Sequence, residues 1–268
     1  MKIFGSDWRF ERALLISLML VLAGCVNRGL DAPHETPNAS IEKQDVQRRA
    51  AIRIQLAVGY YQQGQNKVAL EEIRQALLIS PDLLDAYAIR ALIFMEMGEK
   101  KLAEENFLYA MKLAPNDLEI ANNYGWFLCQ NDREKQGLVL LERALHDSAY
   151  PTPAKAYNNA GLCSLRIKDA RAAEAYFMQG FRIDPSNPGL NANLARVFFD
   201  RGDFSQARFY INRVLKLDVM TVDVLWLAIR IEKKLGDEAI INSLITQLRR
   251  RFPNSREFGL LQRGSFDE

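Results

Sequence analysis

The chain of 268 residues is 49% hydrophobic and 25% charged, an ordinary globular composition that excludes a wholly disordered chain and a polytopic membrane protein. Its 35 basic and 33 acidic residues leave a formal charge of +2, so there is no electrostatic case for a nucleic-acid partner. Two histidines and three cysteines are too few for a His-rich metal site, a catalytic triad or a disulfide scaffold.

At the start of the chain, Lys2, Arg9 and Arg12 precede an uncharged apolar run from Ala13 to Ala23. That run is too short for a bilayer helix, which needs about 20 residues, and it suits the apolar stretch of a secretory signal peptide. It ends in Leu22-Ala23-Gly24-Cys25, which resembles a bacterial lipobox: small residues that fit the peptidase, then a thiol that takes the diacylglyceryl group. Residues 1–24 are expected to be a lipoprotein signal peptide and Cys25 the lipidated N-terminus. A short buried helix with a core cysteine is the alternative. Val26 follows the cysteine, where Asp would resemble an inner-membrane retention signal, so the resemblance implies anchoring at the periplasmic face of the outer membrane. Several acyl chains on one N-terminus anchor stably where one alone is marginal. Residues 26 to about 44 carry Gly29, Pro33 and Pro37 without an apolar period. They are expected to form a flexible tether, so that 25–49 precedes the first repeat.

From residue 50 a period of 34 takes over. Pro81 and Pro115 share it, as do Gly64 and Gly98, Ala69 and Ala103, Ala76 and Ala110, and Tyr60 and Phe94. Further on, Pro185, Gly202 and Ala207 fall in the same columns. This resembles the tetratricopeptide repeat, two antiparallel helices, A and B, with small residues where they touch. Ala57, Ala91, Gly125, Gly161 and Ala195 take the small position of helix A, and Ala69, Ala103, Gly137, Ala173 and Ala207 that of helix B. A larger side chain there would overpack the contact. Tyr60, Phe94, Leu128 and Phe198 follow the helix A column, which Ser164 breaks. The expected fold is all-α: a right-handed α-solenoid of about six repeats at 50–83, 84–117, 118–153, 154–187, 188–221 and 222–255, with a cap and tail at 256–268. The third is lengthened through HDSAYPTP, and the sixth is degenerate, with Glu232 at a core position, as a terminal repeat facing water allows.

In such a solenoid, helix A residues line a concave groove. The frame places Ile54, Val58, Tyr61, Ile89, Leu92 and Met95 there in repeats one and two. Repeats three and four add Asn122, Asn123, Trp126, Asn158, Asn159, Leu162 and Leu165, and repeat five Asn193, Arg196 and Phe199. Repeat six turns basic, with Arg230, Lys233 and Lys234. An apolar stripe of this size usually marks a partner site, with an error of frame, placing some of these residues in the core, as the alternative. Asn123, Asn159 and Asn193 share one position. Their amides could grip the backbone of an extended peptide or bond helix to helix, and both readings are open. Cys129 and Cys163 lie on adjacent A helices in an oxidising compartment, which favours a disulfide over two buried thiols. Closing that loop would remove about 3–4 kcal/mol of chain entropy in the loop model.

The central block is more specific. NNYGWFLCQNDR at 122–133, AYPTPAKAYNNAGLC at 149–163 and DARAAEAYFMQGFRIDPSNP at 169–188 resemble the PilF/PilW family of type IV pilus biogenesis lipoproteins. The resemblance implies a pilotin: a lipoprotein that holds the secretin subunit of the pilus in its groove and supports its localisation and multimerisation in the outer membrane. A general periplasmic scaffold for envelope-assembly or peptidoglycan factors is the alternative. No GxSxG, HExxH or phosphate loop is present, so neither enzyme activity, a metal, a small-molecule substrate nor a cofactor beyond the lipid on Cys25 is expected.

Overall fold

The computed structural model describes residues 37–218 and 220–266. The signal segment, Cys25 and residues 26–36 lie outside the described residues. Those described form thirteen helices. The first, α1, runs Pro37–Gln62, and the repeat body begins at Ala50. Residues 37–44, read from sequence as part of a flexible tether, are therefore helical. A proline at the first helical position lacks only an N–H that has no helical partner there, and Glu42, Gln44, Gln47 and Arg48 are good helix formers.

From Ala50 the helices alternate as A and B. Helix A of the first repeat is the later part of α1, and α2 (Asn66–Ile79) is its helix B. The pairs continue with α3 (Leu84–Glu96) and α4 (Lys100–Leu113), α5 (Leu118–Gln130) and α6 (Glu134–Leu145), and α7 (Pro153–Arg166) and α8 (Ala170–Ile183). They end with α9 (Pro188–Asp200) and α10 (Phe204–Lys216), and α11 (Val222–Leu235) and α12 (Glu238–Arg251). A short α13 (Arg256–Gln262) follows and places Leu260 in the last core cluster.

Each A helix stops in the same way. The residue after its last turn takes a left-handed conformation: Gly64, Gly98, Gly202 and Gly236, and in repeats three and four Asp132 and Lys168. The next N–H then reaches back to a carbonyl five residues earlier, from Gln65 to Tyr60, Glu99 to Phe94, Arg133 to Leu128, Asp169 to Ser164, Asp203 to Phe198 and Asp237 to Glu232. This closes the orphan carbonyls and turns the chain into helix B.

Small residues then set the A–B distance. The alanines of both columns are fully buried. A Cβ built on Gly137 would lie 2.5 Å from the Gly125 carbonyl oxygen and 2.5 Å from Cys129 Sγ, so the backbones of α5 and α6 touch. At Gly161 an added Cβ would enter the ring of Phe177, and Ser164, one turn on, donates its hydroxyl to the Ala160 carbonyl at 2.9 Å. The break in the bulky column thus leaves no unpaired polar group.

Successive A helices also touch one another, α3 to α5, α5 to α7, α7 to α9 and α9 to α11, whereas B helices make no comparable contact. The A layer is the inner one, so the helix A face is concave. The core is distributed along the axis in separate clusters, as repeat stacking requires. In repeat six, Glu232 is buried and accepts from Arg208 of the preceding helix B, through Nε at 2.9 Å and through a second guanidinium nitrogen. The apparent defect in the sixth frame is one half of an inter-repeat ion pair.

Candidate partner-binding groove

The groove is built from one face of each A helix. Val58 and Tyr61 on α1, Ile89, Leu92 and Met95 on α3, Trp126 on α5 and Leu162 on α7 are half-buried, seated on the core with a face left to solvent. Burial, and then the neighbouring Glu96 carboxylate, hold the Tyr61 phenol above its ordinary pKa of 10.0, so it stays a neutral donor. Ile54, placed in the groove from its position in the frame, is instead core: it packs with Ala57, Ile73 and Ile93. Phe199 is likewise buried, with the Arg230 guanidinium 4.7 Å from its ring centre.

The amide row behaves differently from a peptide grip. Asn122 is fully buried, and Asn123 and Asn159 are only 7% and 8% exposed. Asn159 donates through Nδ2 to Asn122 Oδ1 at 3.0 Å, and Asn122 donates in turn to Asn123 Oδ1 at 3.2 Å. Asn123 Oδ1 also accepts from Lys155 Nζ at 2.9 Å. One repeat further on, Asn193 donates to Asn158 Oδ1 at 2.8 Å, with both residues half-buried. Of the two readings open from sequence, helix-to-helix bonding is the one found. The reason is the close approach of successive A helices, which brings Asn159 and Asn193 each within hydrogen-bond reach of the asparagine one place before its counterpart on the preceding A helix.

Glu119, Tyr150 and Lys155 were not foreseen from the sequence. Glu119 accepts from Tyr150 at 2.8 Å, from Thr152 at 3.1 Å and from Lys155. Burial raises its pKa, but these donors outweigh it and hold the carboxyl below its ordinary 4.5. The signal lay in the two extra residues of repeat three, which bring Tyr150 inward to 4% exposure. On the same layer Cys129 and Cys163 are joined, with Cα atoms 5.4 Å apart and a sequence separation of 34. Among the described residues no group of three or more His, Cys, Asp or Glu converges in a way that could hold a metal.

The groove therefore has three stretches: an apolar stripe over repeats one to three, a self-bonded amide stretch over repeats three to five, and a basic end at repeats five and six. Models of the tetratricopeptide repeat match residues 84–117 and 165–224. In sequence the chain is similar to the type IV pilus assembly protein PilF of Pseudomonas aeruginosa, 32% identical over 92% of this chain and 96% of that one. Two solved structures share the solenoid. PilW, a type IV pilus biogenesis factor, superposes with a TM-score of 0.72 and 32% identity over 80% of this chain and 98% of its own. The Pseudomonas aeruginosa PilF structure gives a TM-score of 0.72 and 30% identity over 82% of this chain and 99% of its own.

Proposed function

The chain belongs to the PilF/PilW family of type IV pilus biogenesis tetratricopeptide-repeat proteins, and from that membership we propose that it acts as a pilotin, by binding and not by catalysis. On this reading it is anchored through lipid on Cys25 to the periplasmic face of the outer membrane. It holds a segment of the secretin subunit in its groove and promotes localisation and multimerisation of that channel. The observation that carries the reading is the half-buried apolar stripe of Val58, Tyr61, Ile89, Leu92, Met95 and Trp126 on the inner helix layer. A contiguous apolar strip on a concave face suits an extended or helical segment whose own apolar residues would otherwise be exposed before assembly. Anchoring converts the subunit's search of the periplasm into a search on a surface, which raises effective concentration without any new contact.

The test is deletion of the gene, followed by electrophoresis of the envelope without heating. Loss of the secretin multimer with the monomer retained supports the pilotin reading, and an unchanged multimer overturns it. Cys25→Ser tests the anchor separately. The domain should fold and leave the outer-membrane fraction, and a variant that still sediments with that membrane removes the lipid from the account.

A further inference from the structure

The inner face changes chemistry at its C-terminal end. Arg196 on α9 and Arg230, Lys233 and Lys234 on α11 succeed one another along it. Two recessed cavities lie between these helices and their neighbours. One, of about 120 Å³, is lined by Arg230, Lys233, Lys234, Gly264 and Phe266. The other, of about 150 Å³, has Asn193, Arg196 and Asp223 around an apolar floor that includes Val224 and Leu227. Among the described residues, Asp223 is the one carboxylate lining either cavity. Glu232 is on α11 too, but it is buried and paired with Arg208.

Arg230 is the informative group. Its guanidinium stacks on Phe199, and its Nε is buried with no hydrogen-bond acceptor among the described residues. A buried donor without an acceptor is costly, and in a native protein it points to a bound group or a water. Lys233 sits at the mouth of the same cavity, its Nζ 3.3 Å from the centre of the Phe266 ring. Cations in the last turn of α11 complement the helix dipole, which accounts for Lys233 and Lys234 but not for Arg230, a turn earlier.

We infer that this end of the groove binds the carboxylates of an acidic peptide segment. A carboxylate matches the N–H fork of a guanidinium. The cations lie on successive A helices of the inner layer, so an extended chain that follows that layer meets them in turn. The segment would set apolar side chains on the stripe of repeats one to three and carboxylates in the cavities of repeats five and six. The inference rests on the inner face being a partner groove, and not on the partner being a secretin.

The probe is a fluorescein-labelled peptide of alternating Glu and Leu, with its Gln-Leu counterpart, titrated by anisotropy with the purified full chain in detergent. The Glu peptide should bind at least about tenfold more tightly than the Gln peptide, by an amount that shrinks with added salt. Arg230→Gln with Lys233→Gln should weaken it by about tenfold. Because Arg230 also covers Phe199, a second variant changes only exposed side chains, Arg196→Glu with Lys233→Glu, and should lose at least as much. Arg249→Gln with Arg250→Gln removes the same charge from the outer helix layer and should leave binding unchanged. Equal affinity for the two peptides overturns the inference, as does an equal loss in the outer-layer variant. Loss of binding to phosphatidylglycerol vesicles in the Arg230 and Lys233 variant, with peptide binding intact, makes the site a lipid one and overturns it as well. An unchanged secretin multimer on gene deletion, beside intact acidic-peptide binding, sinks the pilotin reading alone.

Discussion

Asn159→Ala separates an amide that holds helices together from one that waits for a ligand. The substitution deletes the Nδ2 donor that reaches Asn122 Oδ1 at 3.0 Å, and Asn122 is fully buried. Little packing is lost with so short a side chain, so the cost is that of the stranded carbonyl oxygen, about 1–3 kcal/mol. In a body of roughly 200 residues each kcal/mol moves Tm by about 2–4 °C, so melting followed by circular dichroism should fall by about 2–12 °C. The partner variant Asn122→Ala gives an internal control. With both residues changed, donor and acceptor disappear together, and the double variant should lose less than the sum of the two single losses. A variant Asn159→Ala that melts with the wild-type protein but binds its partner more weakly would refute the reasoning and return the amide to the groove.

Gly137→Ala forces a Cβ to within 2.5 Å of the Gly125 carbonyl oxygen and should destabilise by about 1–3 kcal/mol. The same change at Gly59, where an added Cβ meets nothing within 4 Å, should be neutral or stabilise by about 0.5–1 kcal/mol, and urea midpoints that move alike would refute the contrast. Opening the Cys129–Cys163 bridge should lower stability by about 3–4 kcal/mol, read as a shift in the urea midpoint on adding reductant. Mass spectrometry that finds both thiols alkylated in the native, unreduced protein removes the premise. Glu119 has a folded pKa below its ordinary 4.5, so its stabilisation is complete above about pH 4.5 and is lost as pH falls through the lower folded value. The gap in Tm between the wild type and Glu119→Gln should therefore close on acidification, and a gap that stays constant from about pH 7 to about pH 3 rejects that assignment.

The repeat columns are legible in the sequence because packing enforces them: a position where two helix axes nearly touch accepts only Ala or Gly, whatever the partner bound. The turn after helix A is less legible, since Asp132 and Lys168 take the left-handed conformation that Gly64, Gly98, Gly202 and Gly236 announce. Backbone geometry there is set by the repeat, and the side chain only tolerates it. Glu232 looks like a fault in the sixth frame because its partner, Arg208, stands 24 residues earlier on another repeat. The asparagines fail for the same reason. Periodicity shows that Asn122 and Asn159 are neighbours, but not whether their amides face each other or the groove, since that depends on ångström-scale separation of the helices. With the amides spent internally, the middle of the groove changes its role. The Gly125–Gly137 backbone contact, the cystine and the Glu119 cluster all fall in repeats three and four, and the amide ladder runs from repeat three to repeat five. They concentrate links between repeats in the middle of the solenoid, between an apolar end and a basic end. For the segment proposed above, a fixed distance between the two ends would lower the ordering cost of binding across them. The polar middle is therefore better understood as the brace that sets that spacing than as a third contact.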